Sequence, residues 1–400
     1  MTARAIDFNV SAELKADFQT WRTRALIAGI AGLVLSAIGF FVAGPTQFYR
    51  SYLWSYLIVV GLSLGPMAWL MLQYVTGGAW GVVIRRPCEA AVRTLPLTAA
   101  LFLPIFIGIN NLYPWAHKDL VAKDPLLAHK APFLNLPFFL IRTAIYLGGW
   151  LFLSWYLNKW SDREDREGGE VPHGKLSYIS GPGILFWGFT VTFMSIDWIL
   201  SVDPKWFSTI FGLLFIANQA LTAMAFLITL MVLLSYRKPM SEILTPRHLH
   251  DLGKFLLALV MVWAYFSFSQ FLIIWAGNLP EEIPWYLIRL NNGWEFIGLL
   301  LVIGHFALPF ALLLSRDLKR NFRLLAGIAV FILLMRFVDL YWLVTPSFRK
   351  EGFGLSWLDF TIPIGIVGIW LWYFLMQLEK RPLMPLNEPH LEEALEHGRE

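Results

Sequence analysis

Apolar residues in this chain run almost unbroken for about twenty positions at a time and then give way to short polar stretches. Ten such runs stand out, at about 25–43, 52–75, 90–111, 136–157, 179–202, 207–234, 252–276, 293–314, 324–345 and 356–378. A helix rises 1.5 Å per residue, so crossing a hydrocarbon layer of about 30 Å takes roughly 20 apolar residues. The pattern predicts an all-α polytopic membrane protein of about ten transmembrane helices. The polar remainder divides into an N-terminal segment 1–24, short connections and a tail 379–400.

Composition agrees with that pattern: 57% of residues are hydrophobic, 16% aromatic and 15% charged, against about 25% charged in soluble domains. Basic residues set the orientation, because basic loops stay on the cytoplasmic side. Of the 32 Lys and Arg, 22 lie on the side of the N-terminus, 8 on the other side, and Arg142 and Arg336 within spans. Both termini are therefore expected to be cytoplasmic, as an even number of spans requires. The first run has a long polar leader and no clean small-x-small cleavage site, so it is read as an anchor. The formal charge of +4 is accounted for by the inner loops and implies no nucleic acid. One cysteine, Cys88, excludes an intrachain disulfide, a cysteine-ligated cluster or a structural zinc site.

Little chain is left outside the membrane. The longest outer loop, 112–135, is aromatic enough to lie on the interface, and the inner loop "NKWSDREDREGGEVPHGK" reads as a solvated charge run with flexible glycines. The tail after Pro385 is acidic and short enough for one small helix.

"FTVTFMSIDWILSVDP" in the fifth run aligns with "FILLMRFVDLYWLVTP" in the ninth, placing Asp197 on Asp339 and Pro204 on Pro346. That offset predicts two four-helix bundles, 52–202 and 207–345, as a parallel repeat. The outer runs 25–43 and 356–378 are then peripheral.

The candidate chemistry is the set of polar residues inside these runs. A charge at mid-membrane costs about 2.5–3.5 kcal/mol and normally turns inward to a partner. Arg336 and Asp339, three apart, share a helix face and can pair. Arg142, Asp197, Glu295 and His305 complete the proton-path or quinone-site candidates; Asn218, Gln219 and Gln270 accompany them, with Asn218 and Gln270 read as interhelical hydrogen-bond glue. Asp197 has Met194 where Asp339 has Arg336, so its charge is either balanced from another helix or absent because the carboxyl stays protonated, as suits a proton carrier. Glu295 sits near the outer end of its run, within reach of the interface. His305 is alone at its depth, which argues against a haem held by two helical histidines.

Three stretches, "GGAWGVVIRRPCEAAVRTLPL" (77–97), "HDLGKFLLALVMVWAYFSFSQFLIIWAGNLPEEIPWYLIR" (250–289) and "MRFVDLYWLVTP" (335–346), resemble the polysulfide-reductase/NrfD-like membrane subunits of alternative complex III, the second such subunit in particular. The resemblance extends over essentially the whole chain. It implies a bacterial inner-membrane quinol:cytochrome c oxidoreductase, ten helices and two four-helix bundles. It also implies partners: a sister NrfD-like membrane subunit, an iron–sulfur subunit, c-type cytochrome subunits and small membrane subunits. Haem c and iron–sulfur clusters would belong to those partners, since this chain has no CxxCH and no cysteine cluster. Menaquinone or ubiquinone is the ligand implied for the membrane part. In the sister subunit the resemblance implies a histidine–aspartate pair at the oxidising site. Runs two to five here hold Asp197 but no histidine at membrane depth. The expectation is therefore a supporting and proton-conducting subunit, with quinone binding second. Other classes compatible with ten spans are a proton-coupled transporter, weakened because Pro66 has no counterpart in the sixth run, and a pure scaffold.

Overall fold

The computed structural model describes residues 7–397, the side chain of His397 excepted, and contains no strand among them. Ten helical segments are long and apolar enough to cross a membrane: α1 (Ala12–Val42), α2 (Pro45–Thr76), α3 (Ala79–Ile107), α4 (Leu136–Glu167), α5 (Glu170–Val202), α6 (Phe211–Leu234), α7 (Pro246–Gly277), α8 (Trp294–Leu314), α9 (Phe322–Ser347) and α10 (Leu358–Leu378). The chain is a multi-pass integral membrane protein. Most of its large exposed side chains are apolar, among them Phe189, Phe268, Phe296 and Leu185, as a lipid-facing surface requires.

α2–α5 close into one ring, each helix against the next and α5 back against α2; α6–α9 close the same way. The two bundles meet along α2 and α6, which are the most enclosed spans. A β-carbon on Gly65 of α2 would stand 2.3 Å from the Gln219 carbonyl oxygen, and the Trp69 indole donates to the Ala220 carbonyl at 3.1 Å. Outside the bundles, α1 lies on α10 through facing glycines: a β-carbon on Gly32 would stand 2.5 Å from the Gly365 nitrogen. Small residues allow such backbone approach where lipid supplies no hydrophobic drive.

Three expectations change. The N-terminal segment and the anchor are one helix from Ala12, capped by the Ser11 hydroxyl, which accepts from Leu14 N–H. The third span begins at Ala79 rather than about 90 and is broken into Val82–Val92, Leu95–Ala100 and Leu103–Ile107, because Pro96 and Pro104 cannot donate to the helix ladder. The supposed solvated run 158–175 continues α4 to Glu167, and Glu164 is fully buried. Three of its five acids, Asp162, Glu164 and Asp165, are held by arginines of α3. Arg85 pairs with Glu89 at 3.0 Å and with Glu164, Arg86 pairs with Glu89 at 2.6 Å and with Asp165, and Arg93 pairs with Asp162 at 3.2 Å.

Candidate functional site

In the first bundle, α4 carries Arg142 and α5 carries Asp197, each on the inward face of its helix. The guanidinium grips the carboxylate with two bonds, Nε to Oδ2 at 2.8 Å and Nη2 to Oδ1 at 2.7 Å. Tyr146, one turn after Arg142, donates its hydroxyl to Oδ2 at 2.7 Å. Arg142 also donates to the Phe133 carbonyl at 3.0 Å, and its guanidinium carbon lies 3.9 and 4.2 Å from the Phe133 and Phe138 ring centres. Of the two alternatives for Asp197, a partner on another helix is the one found. Its counter-charge comes from the neighbouring helix, a distance no reading of spacing along α5 can reveal. Fork-to-fork pairing plus a phenol engages both carboxylate oxygens and locks Asp197 in place.

In the second bundle the pair lies within one helix. Arg336 and Asp339 of α9 are both buried and joined by a hydrogen-bonded ion pair. Arg336 also donates from Nε to the Thr222 hydroxyl at 3.1 Å and from Nη1 to the Asn218 side-chain oxygen Oδ1 at 2.8 Å. Asn218 is thus part of the charged site. The two aspartates that align in sequence are both buried and both paired with an arginine, but the arginine arrives by different routes.

The second site opens to a cavity. A cleft of about 730 Å3 lies between α7 and α8, with Asp339 in its lining. Trp263, Phe268, Phe271, Tyr286, Phe306 and Trp342 form its walls, and Gln270 and Glu295 are its other strongly polar members. Tyr265, Phe268, Leu299 and Val302 along it are exposed, so the cleft opens sideways, toward lipid. Gln270 accepts from the Ser208 hydroxyl at 2.9 Å and donates to the Tyr286 hydroxyl at 3.3 Å, so it ties α7 to the connections before α6 and α8 rather than to another span, and it lines the cleft. Glu295 is half-buried and accepts from Gly293 N–H at 2.8 Å.

His305 sits behind this wall. α8 is π-helical over Leu301–Ala307, a local form often found at functional positions, and the turn carries His305 inward. Its ring is fully buried and meets the Trp263 ring edge-on, with centroids 4.4 Å apart, and neither ring nitrogen has a hydrogen-bond partner among the described residues. Of the six candidates, then, Arg336, Asp339, Glu295 and His305 belong to the second bundle, and Arg142 and Asp197 to the first.

Several working residues carried no signal in the sequence. Trp263, Tyr286 and Trp342 were indistinguishable from other aromatics in apolar runs. Arg289 was counted with an outer loop, yet it is fully buried, stacked 3.4 Å over Trp285, and donates to the Leu343 carbonyl at 2.7 Å and the Trp342 carbonyl at 3.3 Å. A cation against the last carbonyls of α9 complements that helix's dipole.

The chemistry available to the cleft is specific in kind. Aromatic walls accept a flat ring, the lateral mouth accepts an apolar chain, and a carboxylate, an amide and a phenol offer hydrogen bonds to ring substituents. No protein-family model matches the chain, and no curated protein matches it in sequence.

Proposed function

We propose that this chain is an integral membrane subunit of a bacterial quinol:cytochrome c oxidoreductase of the alternative complex III kind, and that its second bundle receives a quinone-type ring. The observation carrying this reading is the aromatic cleft between α7 and α8, open to lipid and ending on Asp339. Its size falls in the range typical of small-molecule sites, about 300–1,000 Å3. A quinone carries a flat ring with two carbonyls on an isoprenoid chain, and such a molecule reaches its site from the bilayer. Gln270, Tyr286 and Glu295 lie where ring oxygens would be met, and α7 and α8 would flank the chain. Electrons would pass to iron–sulfur and c-type haem partners, alongside a sister NrfD-like subunit and small membrane subunits. Both termini would face the cytoplasm of an inner membrane, as the basic asymmetry implies.

This reading moves quinone binding ahead of proton conduction through Asp197, because Arg142 and Tyr146 hold that carboxylate at both oxygens. The experiment is purification through an affinity tag on this chain after mild solubilisation. Haem c and iron–sulfur absorbance should follow the tag, and the material should reduce an acceptor from quinol. A chain that emerges alone and moves a solute in vesicles would favour a transporter instead.

A further inference from the structure

The two peripheral helices, α1 and α10, touch through glycines over part of their length: a β-carbon on Gly368 would stand 2.7 Å from the Gly29 Cα. Toward the end that holds the chain termini the walls carry larger side chains, Arg22 and Leu26 on α1 and Trp372 and Glu379 at the end of α10, and a groove of about 570 Å3 opens between them. It is graded along α1. Leu26 and Ile27, inside the apolar run, line one end with Trp372, and Lys15, Gln19, Arg22 and Thr23, in the polar segment before that run, line the other. Residues three and four apart on a helix are neighbours, so these positions form one continuous face. Ile27 is 63% exposed, which turns the apolar end toward acyl chains.

The charge on this face is one-sided. Arg22 Nη1 and Glu379 pair at 2.7 Å and balance each other. Lys15 makes no ion pair among the described residues. Its acidic neighbours on α1, Glu13 and Asp17, do not line the groove and reach Arg237 instead, at 3.9 and 2.7 Å. The helix thus sends its acids to another partner and leaves an ammonium and an amide along the groove. Basic pockets between transmembrane helices suit anionic lipid headgroups, and tryptophan favours the depth at which headgroup meets acyl chain.

We propose that this groove seats one anionic phospholipid, with its phosphate against Lys15, Gln19 and Arg22 and an acyl chain along Leu26, Ile27 and Trp372. The net charge of the lining, one positive after the Arg22 and Glu379 pair is set aside, matches the single negative charge of a phosphatidylglycerol. A phosphatidylcholine has no net charge to offer Lys15. This inference uses neither the cleft of the second bundle nor its quinone, and it survives or fails without them.

The test is photo-crosslinking of the full-length chain in lipid nanodiscs that carry a trace of phosphatidylglycerol or of phosphatidylcholine, each with a diazirine near its glycerol backbone, mapped by mass spectrometry. Adducts on peptides covering 12–27 and 372–379 should be several-fold more abundant with phosphatidylglycerol. Lys15 is exposed, so Lys15→Gln should leave the fold intact and bring the phosphatidylglycerol yield at these peptides down to the phosphatidylcholine level. Lys175→Gln, which removes another exposed lysine from the same side of the membrane, should leave the preference unchanged. Equal yields from the two lipids in the parent chain overturn the site, as does a preference that survives Lys15→Gln. A preference lost equally in Lys175→Gln overturns it too, because diffuse surface charge would then be the cause.

Discussion

Asp197→Asn keeps the shape of the side chain and removes its charge, which isolates the Arg142 lock. In the native protein the Arg142 guanidinium gives two bonds to the carboxylate and one to the Phe133 carbonyl, between two phenylalanine rings. With asparagine it stays buried, its side chain 8% exposed, with no opposite charge in contact. Removing one partner of a buried pair typically costs about 3–5 kcal/mol. At about 1.4 kcal/mol per tenfold, the ratio of folded to unfolded chain falls by more than about a hundredfold. Unfolding in mixed micelles, followed by tryptophan fluorescence, measures this directly. Arg142→Leu combined with Asp197→Leu should recover most of the loss, since apolar replacement of both partners is often neutral or better. An Asp197→Asn protein within about 0.5 kcal/mol of the parent, the range of an ordinary surface change, would refute the lock.

The second pair should behave similarly in stability: Asp339→Asn should lower the yield of folded chain, and the double leucine variant with Arg336→Leu should restore it, as read by size-exclusion recovery. Gly32→Val should destabilise by about 1–3 kcal/mol through overpacking, measured as a lower unfolding midpoint, because its side chain would collide with the Gly365 backbone. Burial raises the carboxyl pKa of Glu388 above the usual range, opposed in part by Arg85 and by the His390 N–H and side chain, with Glu164 adding to the rise. The docked tail thus favours the neutral acid, so its contribution is fully present below the usual carboxyl pKa and is lost as pH rises through the raised value. A dye at Glu396→Cys in a Cys88→Ala background should therefore lose anisotropy as pH rises, and Glu388→Gln should flatten that response.

The spans were legible because lipid imposes length and apolarity on each one separately, so ten runs in the sequence became ten helices. Asp197 and Asp339 were legible as sites because a charge within an apolar run is rare enough to serve as a landmark. Pairing between spans was not. Arg142 reaches Asp197 from 55 positions away, and Arg336 reaches Asn218 from 118. Nothing local encodes such distances. The charge run 158–175 misled in its first half for a related reason: Asp162, Glu164 and Asp165 look solvated until Arg85, Arg86 and Arg93 are brought beside them from α3, while Glu167 and Glu170 are exposed as expected. The cleft was least visible of all, because it is made from aromatics that, in sequence, cannot be told from lipid-facing ones.

Photoaffinity labelling with an azido-quinone, in the intact assembly purified through this chain, addresses the proposed quinone site most directly. The account predicts covalent adducts on peptides of α7 and α8, on residues lining the cleft between Met261 and Phe306, competed away by unmodified quinone and reduced when Leu299→Trp fills the mouth. Adducts confined to partner subunits, or adducts on this chain that Leu299→Trp leaves unchanged, would contradict it.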